Sequence, residues 1–430
     1  MKVMTKVILI IVMLFTMSNV SGAKFEDCSM LPIDQGPALH AYSEIRKTFD
    51  LSKQGHIVAY PNEYGGCYID GETLIVLITR EGEALVTAYT EIAQSKHLPI
   101  SIQLCERSLN ECRLLMNTFL KEVGTEKLYC SYYSPLENAY ILETDSEHKA
   151  ELNDSLNCFM QRNGAVDSIR IRVALYTEPN SLETSHNYRD NSNALTGGRL
   201  LYCGNSHIGT LGISGTFDTW INNVHVTSDL CYLTAGHVAQ NGNVGPLIYN
   251  WNQFSSLLCQ FEDYEAGDYA VVPASSSFSL SNNVYCSNSL ATMSISNYYC
   301  DISEGYPCGT IVYKFGQTTL LTYGHVVLQD FQSYPYYYNE YNSINPTGMI
   351  VVEAYEDNSG PSYMSAEGDS GGPCWVFANS APVLIGIVSG GVSTTGNNVY
   401  SNRTYVSPID LAVNDGFVPY LMSGIQLWND

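Results

Sequence analysis

The stretch AEGDSGGPCWV, residues 366–376, constrains this chain more than any other segment. Ser370 follows Gly368 and Asp369, precedes two further glycines, and leads into an apolar run typical of a strand. Glycine adopts backbone angles closed to other residues and lets a second chain approach closely. We therefore predict that the Ser370 hydroxyl is displayed for chemistry. The alternative is a glycine-rich surface turn without a catalytic role.

The first 23 residues have the pattern of a secretory signal peptide, with lysines before an apolar run and small residues at its end. The alternative is a membrane anchor, which the short apolar run disfavours. A formal net charge of -23 argues against nucleic acid and anionic membranes as partners, because both are bound through positive charge. We expect a secreted, extracellular protein that is a monomer.

Thirteen cysteines in an exported chain predict disulfide bonds, with at least one thiol left over. No Cys or His spacing indicates a metal site, and we expect no cofactor. Asn153 (NDS) and Asn402 (NRT) are acceptor sequences for glycans, which predicts a glycoprotein with both residues at the surface.

The predicted secondary structure changes across residues 179–198. This polar segment is rich in Asn, Ser and Gly, which predicts a linker. After this segment, short strands separated by Gly, Asn and Ser clusters predict an all-β barrel or sandwich. Before it, the pattern is α+β, with an order of turn, strand, helix and strand that occurs twice. Predicted strands there are 73–79, 100–104, 139–144 and 168–176, and predicted helices are 110–123 and 148–161.

A serine hydroxyl needs a base to take its proton, and a third group to hold that base in the correct tautomer. His237 lies where the strand of YLTAGHV runs into a turn, and Asp268 immediately precedes the apolar strand of GDYAVV. We predict that Ser370, His237 and Asp268 act together. Asp263 is a rival for the third role, ranked lower because no apolar strand follows it.

TAGH, GDYAVV and GDSGGP, in this order, resemble the chymotrypsin-like serine proteases. Further segments resemble the streptogrisin and α-lytic protease branch of that family: TGGRLLYC at 196–203, KFGQTTLLTYG at 314–324 and IVSGG at 387–391. The resemblance implies two six-stranded β-barrels, with the site between them. After the signal peptide at 1–23, it also implies an α+β pro-region at 24–193 that assists folding and inhibits the product, and a protease domain at 194–430.

Carried onto this chain, the resemblance implies that Ser370 is the nucleophile and His237 the general base, oriented by Asp268. The N–H groups of Gly368 and Ser370 would form the oxyanion hole. The resemblance also implies a substrate-binding strand and a structural ion pair between Lys314 and Asp369; the alternative for Lys314 is a solvated surface lysine. The substrate-binding strand would comprise Ser389, Gly390 and Gly391.

The chain departs from the family where Val238 follows the catalytic histidine in place of a cysteine. We predict that Cys231 takes over the bond to Cys203. Residues 362–366 offer no acid for binding a basic substrate side chain, and Val388 stands where glutamyl-specific relatives have a histidine. The sequence therefore predicts cleavage after medium or large apolar or aromatic residues.

The function predicted from these residues is a secreted serine endopeptidase, made as a zymogen, that acts on proteins or peptides and is inhibited by its own pro-region. One alternative is a catalytically inactive homologue that binds a partner through its cleft. A second is an esterase with the same three residues, which the chain order disfavours. For the N-terminal half, the alternative to a pro-region is a carbohydrate- or protein-binding domain that the mature enzyme retains.

Overall fold

A computed structural model describes 33–51, 57–164, 167–173, 193–203, 206–221, 224–239, 245–248, 251–252, 259–261, 267–287, 289–298, 306–327, 329–333, 349–354, 363–391 and 400–421. The predicted signal peptide, most of the predicted linker and Asp263 lie outside these ranges. Within them, no helix is both long and apolar enough to cross a membrane.

The N-terminal half consists of α-helices and short strands. Its helices are α1 (Gly36–Arg46), α2 (Glu83–Lys96), α3 (Leu109–Val123) and α4 (Lys149–Asn163). Its strands are β1 (Asp50–Leu51), β2 (Ile57–Ala59), β3 (Tyr64–Asp70), β4 (Thr73–Thr79), β5 (Ile100–Cys105), β6 (Cys130–Ser134), β7 (Ala139–Thr144) and β8 (Ile169–Val173).

The internal repeat predicted from the sequence is present as two β-β-α-β units. In the first unit, the β3–β4 hairpin is followed by α2 and by β5, which pairs in parallel with β4. In the second, the β6–β7 hairpin is followed by α4 and by β8, which pairs in parallel with β7. The predicted strands 73–79 and 139–144 match β4 and β7, and the other predicted helices and strands of this half are found with shifts of one or two residues at their described ends. Residues 174–176 of the last predicted strand lie outside the described ranges.

Helix α3 connects the two units, and its sequence explains its ends and its buried face. Ser108 accepts a hydrogen bond from the Glu111 N–H, while the Glu111 carboxylate accepts one from the Ser108 N–H, which is a capping box. Its buried residues recur every three or four positions, as expected for one face of a helix: Leu109, Cys112, Met116 and Phe119.

The C-terminal half is built almost entirely of strands. They are β9 (Leu200–Cys203), β10 (Ser206–Thr210), β11 (Ser214–Ile221), β12 (Val224–Thr234), β13 (Gly245–Ile248), β14 (Trp251–Asn252), β15 (Cys259–Phe261), β16 (Tyr269–Pro273), β17 (Asn283–Tyr285), β18 (Thr292–Ser294), β19 (Asn297–Tyr298), β20 (Ile311–Gly316), β21 (Leu320–Val326), β22 (Gln329–Ser333), β23 (Ile350–Ala354), β24 (Ser365–Ala366), β25 (Pro373–Ala378), β26 (Ala381–Gly391), β27 (Tyr400–Ser401), β28 (Arg403–Pro408) and β29 (Phe417–Pro419). A short helix, α5 (Ile409–Asn414), follows β28.

Six of these strands form a closed barrel in the order β26, β25, β20, β21, β23 and β28, because β28 also pairs with β26. Strands 200–273 belong to a four-stranded sheet, β10-β9-β13-β14, and to a five-stranded sheet, β15-β16-β12-β11-β29. The closed barrel is one of the two predicted. The other stays a prediction, because several of its strands border residues outside the described ranges.

The two halves share one hydrophobic core. Tyr133 and Met116 of the N-terminal half belong to the same cluster of buried side chains as Val376 and Val388 of the barrel. Strand β22 follows β21 of the barrel in the chain but pairs with β6, so that strands of both halves belong to one sheet. A continuous core of this kind stabilises both halves together.

The disulfide bond predicted for Cys231 is wrong, while bonds among the cysteines whose side chains are not described stay a prediction. None of the nine cysteines whose side chains the structure describes forms a disulfide bond. Cys231, predicted to bond Cys203, donates instead to the carbonyl oxygen of Gly215 at 3.2 Å. It is enclosed by apolar side chains in the core, and this burial raises its pKa to about 12, which disfavours the thiolate needed for disulfide exchange.

Candidate active site

Ser370 lies in the turn between β24 and β25, where two glycines have the positive φ angles that favour glycine. Gly368 has φ +94 and Gly371 has φ +89. A Cβ atom on Gly371 would lie 2.2 Å from the carbonyl oxygen of Thr210, so only glycine fits against β10 at this position. The turn is therefore held close to the neighbouring sheet with Ser370 partly exposed.

His237 and Asp268 come together because β12 and β16 are antiparallel neighbours. Thr234 on β12 faces Ala270 on β16, so the end of one strand lies beside the start of the other. His237 Nδ1 lies 2.7 Å from Asp268 Oδ2, and the His237 N–H donates to Asp268 Oδ1 at 3.0 Å. Asp268 is 1% exposed, which keeps water from competing for its oxygens.

Ser389 on β26 connects this pair to the nucleophile. Its hydroxyl donates to Asp268 Oδ2 at 2.7 Å, and its carbonyl oxygen accepts a hydrogen bond from Ser370 Oγ at 3.2 Å. The Asp268 N–H in turn donates to Ser407 Oγ at 3.1 Å. The carboxylate of Asp268 therefore accepts hydrogen bonds that fix its direction toward His237.

The predicted oxyanion donors are the N–H groups of Gly368 and Ser370. The Thr210 hydroxyl donates to the Gly368 carbonyl oxygen at 2.8 Å, and the Thr210 N–H donates to the Ser370 carbonyl oxygen at 2.8 Å. Among the described residues, neither N–H donates to an acceptor, although the N–H groups of Asp369 and Gly371 both do. Two unpaired donors beside a serine hydroxyl can stabilise negative charge on a carbonyl oxygen.

Lys314 and Asp369 form a fully buried ion pair below the turn. Lys314 Nζ lies 2.7 Å from Asp369 Oδ2, and both side chains are 0% exposed. Burial lowers the pKa of Lys314 from its ordinary value, and the charge of Asp369 opposes that shift. The placement differs from the solvated surface lysine that stood as the alternative.

Further donors complete the surroundings of Asp369. The N–H groups of Thr318 and Thr319 donate to Oδ1 at 2.8 and 3.1 Å, and the Thr319 hydroxyl donates to Oδ2 at 2.6 Å. The Ala366 N–H donates to Oδ2 at 3.0 Å. A Cβ atom on Gly316 would lie 2.2 Å from Oδ1, so the glycine of KFGQTT leaves the space that the carboxylate fills.

Several of these positions were not found from the sequence. The Ser389 hydroxyl was assigned to the substrate-binding strand and not to Asp268, and Ser407 and Thr210 carry no local signal. Thr318 and Thr319 belong to the KFGQTT segment. There, a pair of hydroxyl residues after a glycine could have indicated hydrogen-bond donors to a buried carboxylate. Asp263, the rival of Asp268, lies outside the described residues.

No protein-family model matches the chain, and no curated protein does. Among solved structures, it is similar to a chymotrypsin of Cellulomonas bogoriensis, with 17% identity and a TM-score of 0.35 over 53% of this chain and 100% of that one. Protease A of Thermobifida fusca gives 19% identity and 0.35 over 53% and 100%. A Nocardiopsis protease gives 21% identity and 0.35 over 51% and 95%. These likenesses are weak, and the chemistry of this chain is argued from the geometry of the site.

Proposed function

We propose that the chain is a secreted serine endopeptidase in which Ser370 is the nucleophile, His237 the general base and Asp268 the group that orients it. The observation that carries this proposal is the shared Asp268 carboxylate, which contacts His237 at Nδ1 and is tied through Ser389 to the Ser370 hydroxyl. Asp268 thus joins a histidine 31 positions before it to a serine more than a hundred positions after it.

In the proposed reaction, Ser370 Oγ attacks the carbonyl carbon of a peptide bond while His237 accepts the hydroxyl proton. The Asp268 side chain stabilises the imidazolium that forms. The N–H groups of Gly368 and Ser370 bind the oxyanion, and His237 then returns the proton to the leaving amine. Water repeats the sequence on the acyl-enzyme, which releases the acid and restores Ser370.

The test is covalent labelling with a fluorophosphonate, which reacts with activated serines. We expect one adduct at Ser370 in the secreted, processed protein. The adduct should be lost in Ser370→Ala and kept in Ser276→Ala, a control at an exposed serine of the same half. Absence of the adduct, together with no cleavage of denatured protein substrates, would favour the inactive homologue.

We also propose that the N-terminal half is a pro-region removed by cleavage near 193–195, which makes the chain a zymogen. Its support is the number of separate contacts that join the halves: the shared core, the β22–β6 pairing, and the bond from the Ile69 N–H to the Cys308 carbonyl at 2.7 Å. Mass spectrometry of the active secreted form tests it. A new terminus near Leu195 is expected, whereas an active form that begins at Lys24 would indicate a retained binding domain.

A further inference from the structure

Three buried hydroxyl side chains lie together beside the predicted substrate-binding strand. The exposed fractions of Ser365, Ser401 and Thr404 are 2%, 4% and 0%. Thr404 Oγ1 donates to Ser365 Oγ at 2.5 Å, and Ser401 Oγ bonds the backbone of Arg403. We call Ser365, Ser401 and Thr404 the hydroxyl cluster.

The cluster is close to the reacting groups. Ser365 precedes Ser370 by five residues and pairs with Ser401 in the short β24–β27 ladder. Gly391 lies two residues beyond Ser389, whose carbonyl accepts from Ser370, and pairs with Thr404 across β26 and β28. A peptide that adds to β26, with its carbonyl at Ser370, therefore directs the adjoining side chain toward this cluster.

Little space separates Gly391 from the hydroxyl cluster. A Cβ atom built on Gly391 would lie 2.7 Å from Ser401 Cβ, 2.9 Å from Ser365 Oγ and 3.0 Å from Ser401 Oγ. These are contacts at which an added atom already collides. A long aliphatic or aromatic substrate side chain would have to displace hydroxyl groups that are bonded to one another or to backbone.

The charges near the cluster disfavour acidic and basic side chains of a substrate. The C-terminal half after residue 194 has three lysine or arginine residues, and each is engaged elsewhere. Lys314 pairs with Asp369, the Arg199 guanidinium donates to the Ala194 carbonyl, and Arg403 binds Glu143 and Glu353. Thr404 and Arg403 are neighbours on one strand and so face opposite sides of it. None of these three side chains is therefore placed to bind an acidic side chain at the cluster, and among the described residues no carboxylate belongs to the cluster for a basic one.

We propose that the hydroxyl cluster beside Gly391 selects a short, uncharged side chain that hydrogen-bonds, such as Ser, Thr or Asn, on the acyl side of the cleaved bond. Ser365 Oγ accepts from Thr404, which leaves its own proton free to donate to such a side chain. This inference rests on the proposed function and replaces the apolar preference predicted from the sequence. A site built to hydrogen-bond a group discriminates against analogues that lack it.

The experiment measures kcat/KM for peptide p-nitroanilides that differ only in the residue before the scissile bond: Ser, Thr, Asn, Ala, Leu, Phe, Lys and Glu. The short polar residues should exceed Leu, Phe, Lys and Glu by about tenfold or more. In Ser365→Ala and Thr404→Val, the ratio of Ser to Ala should fall by about tenfold, because a hydrogen-bonding partner is lost. A general loss of folding would lower both rates equally and leave this ratio unchanged.

Thr310→Val is the matched control, because Thr310 is also buried and donates to a backbone carbonyl, that of Pro307, at 2.7 Å. Its Ser to Ala ratio should equal that of the wild-type protein. Ser370 labelling with a preference for Phe, Leu, Lys or Glu would overturn the inference and leave the proposed function intact. An unlabelled Ser370, with no peptide cleaved, would overturn both.

Discussion

Lys314 Nζ and Asp369 Oδ2 are 2.7 Å apart, with both side chains fully buried directly below the turn that carries Ser370. The pair links β20 to the residue before the nucleophile, so the position of the turn depends on a charge that is 55 residues away. A buried charge that loses its partner is costly, since no water can replace the lost contact.

We expect Lys314→Met to destabilise the protein by about 3 to 5 kcal/mol, because it leaves the Asp369 carboxylate buried without a counter-charge. Chemical unfolding in a Ser370→Ala background, which prevents self-cleavage, measures this. The double variant Lys314→Met with Asp369→Asn should be less destabilised than the sum of the single variants. Additive effects would show that the two charges do not interact. Acetylation of the amine at the new N-terminus, formed by the proposed cleavage near 193–195, should have little effect on activity, because Lys314 already supplies the positive charge beside Asp369.

Asp268→Asn should lower kcat by about 10⁴-fold, because an amide cannot hold His237 in the tautomer that accepts the Ser370 proton. Ser389→Ala removes one of the hydrogen bonds that Asp268 accepts and should cost about tenfold. Steady-state kinetics on a peptide substrate measure both. Equal losses in the two variants would place the main role of Asp268 in packing and not in orienting the imidazole.

Gly371→Ala should destabilise the protein and abolish labelling of Ser370. The added Cβ would lie 2.2 Å from Thr210 O and 2.2 Å from Thr234 Oγ1, in addition to the strain of a positive φ. Gly71→Ala is the control, since Gly71 also has a positive φ but no atom within 4 Å of the added Cβ. It should cost only about 1 kcal/mol, from backbone strain alone. Equal shifts of the unfolding midpoint would exclude the steric explanation.

The contribution of the Glu143–Arg403 ion pair to folding stability should decrease as the pH falls. Burial raises the pKa of Glu143, but the Arg403 guanidinium more than offsets this, so the pKa lies below its ordinary value. Such a carboxyl stabilises the folded state above its unfolded pKa and loses that contribution as pH falls through its folded pKa. The contribution should therefore be constant near neutral pH and decline in acid.

Glu143→Gln should accordingly reduce the free energy of unfolding by about 2 kcal/mol at pH 7. Its difference from the wild-type protein should narrow as pH falls below the ordinary glutamate pKa of about 4.3 and through the lower pKa of the folded state. Denaturant unfolding of the uncleaved Ser370→Ala chain at several pH values provides the measurement. Glu137→Gln, whose arginine partners Arg170 and Arg172 are largely exposed, is the control and should change stability by less than about 1 kcal/mol. A difference for Glu143→Gln that grows in acid would contradict the assignment.

The sequence by itself determined the elements whose signals are local. The apolar run TLIVLIT predicts β4, and the helical spacing of apolar residues predicts α3, because the side-chain period is encoded within a few residues. The motifs around His237, Asp268 and Ser370 likewise carry their own turn and strand signals. Each can therefore be recognised before any contact between them is known.

Only the tertiary structure decided how distant segments meet. Strand β22 pairs with β6 of the other half, and Arg403 contacts Glu143 across 260 residues of sequence. Gly391 lies close to Ser365 and Ser401 of the hydroxyl cluster, and no local sequence pattern indicates that approach. Such contacts depend on strand register and on which sheet edges remain open after folding, and both are properties of the whole chain.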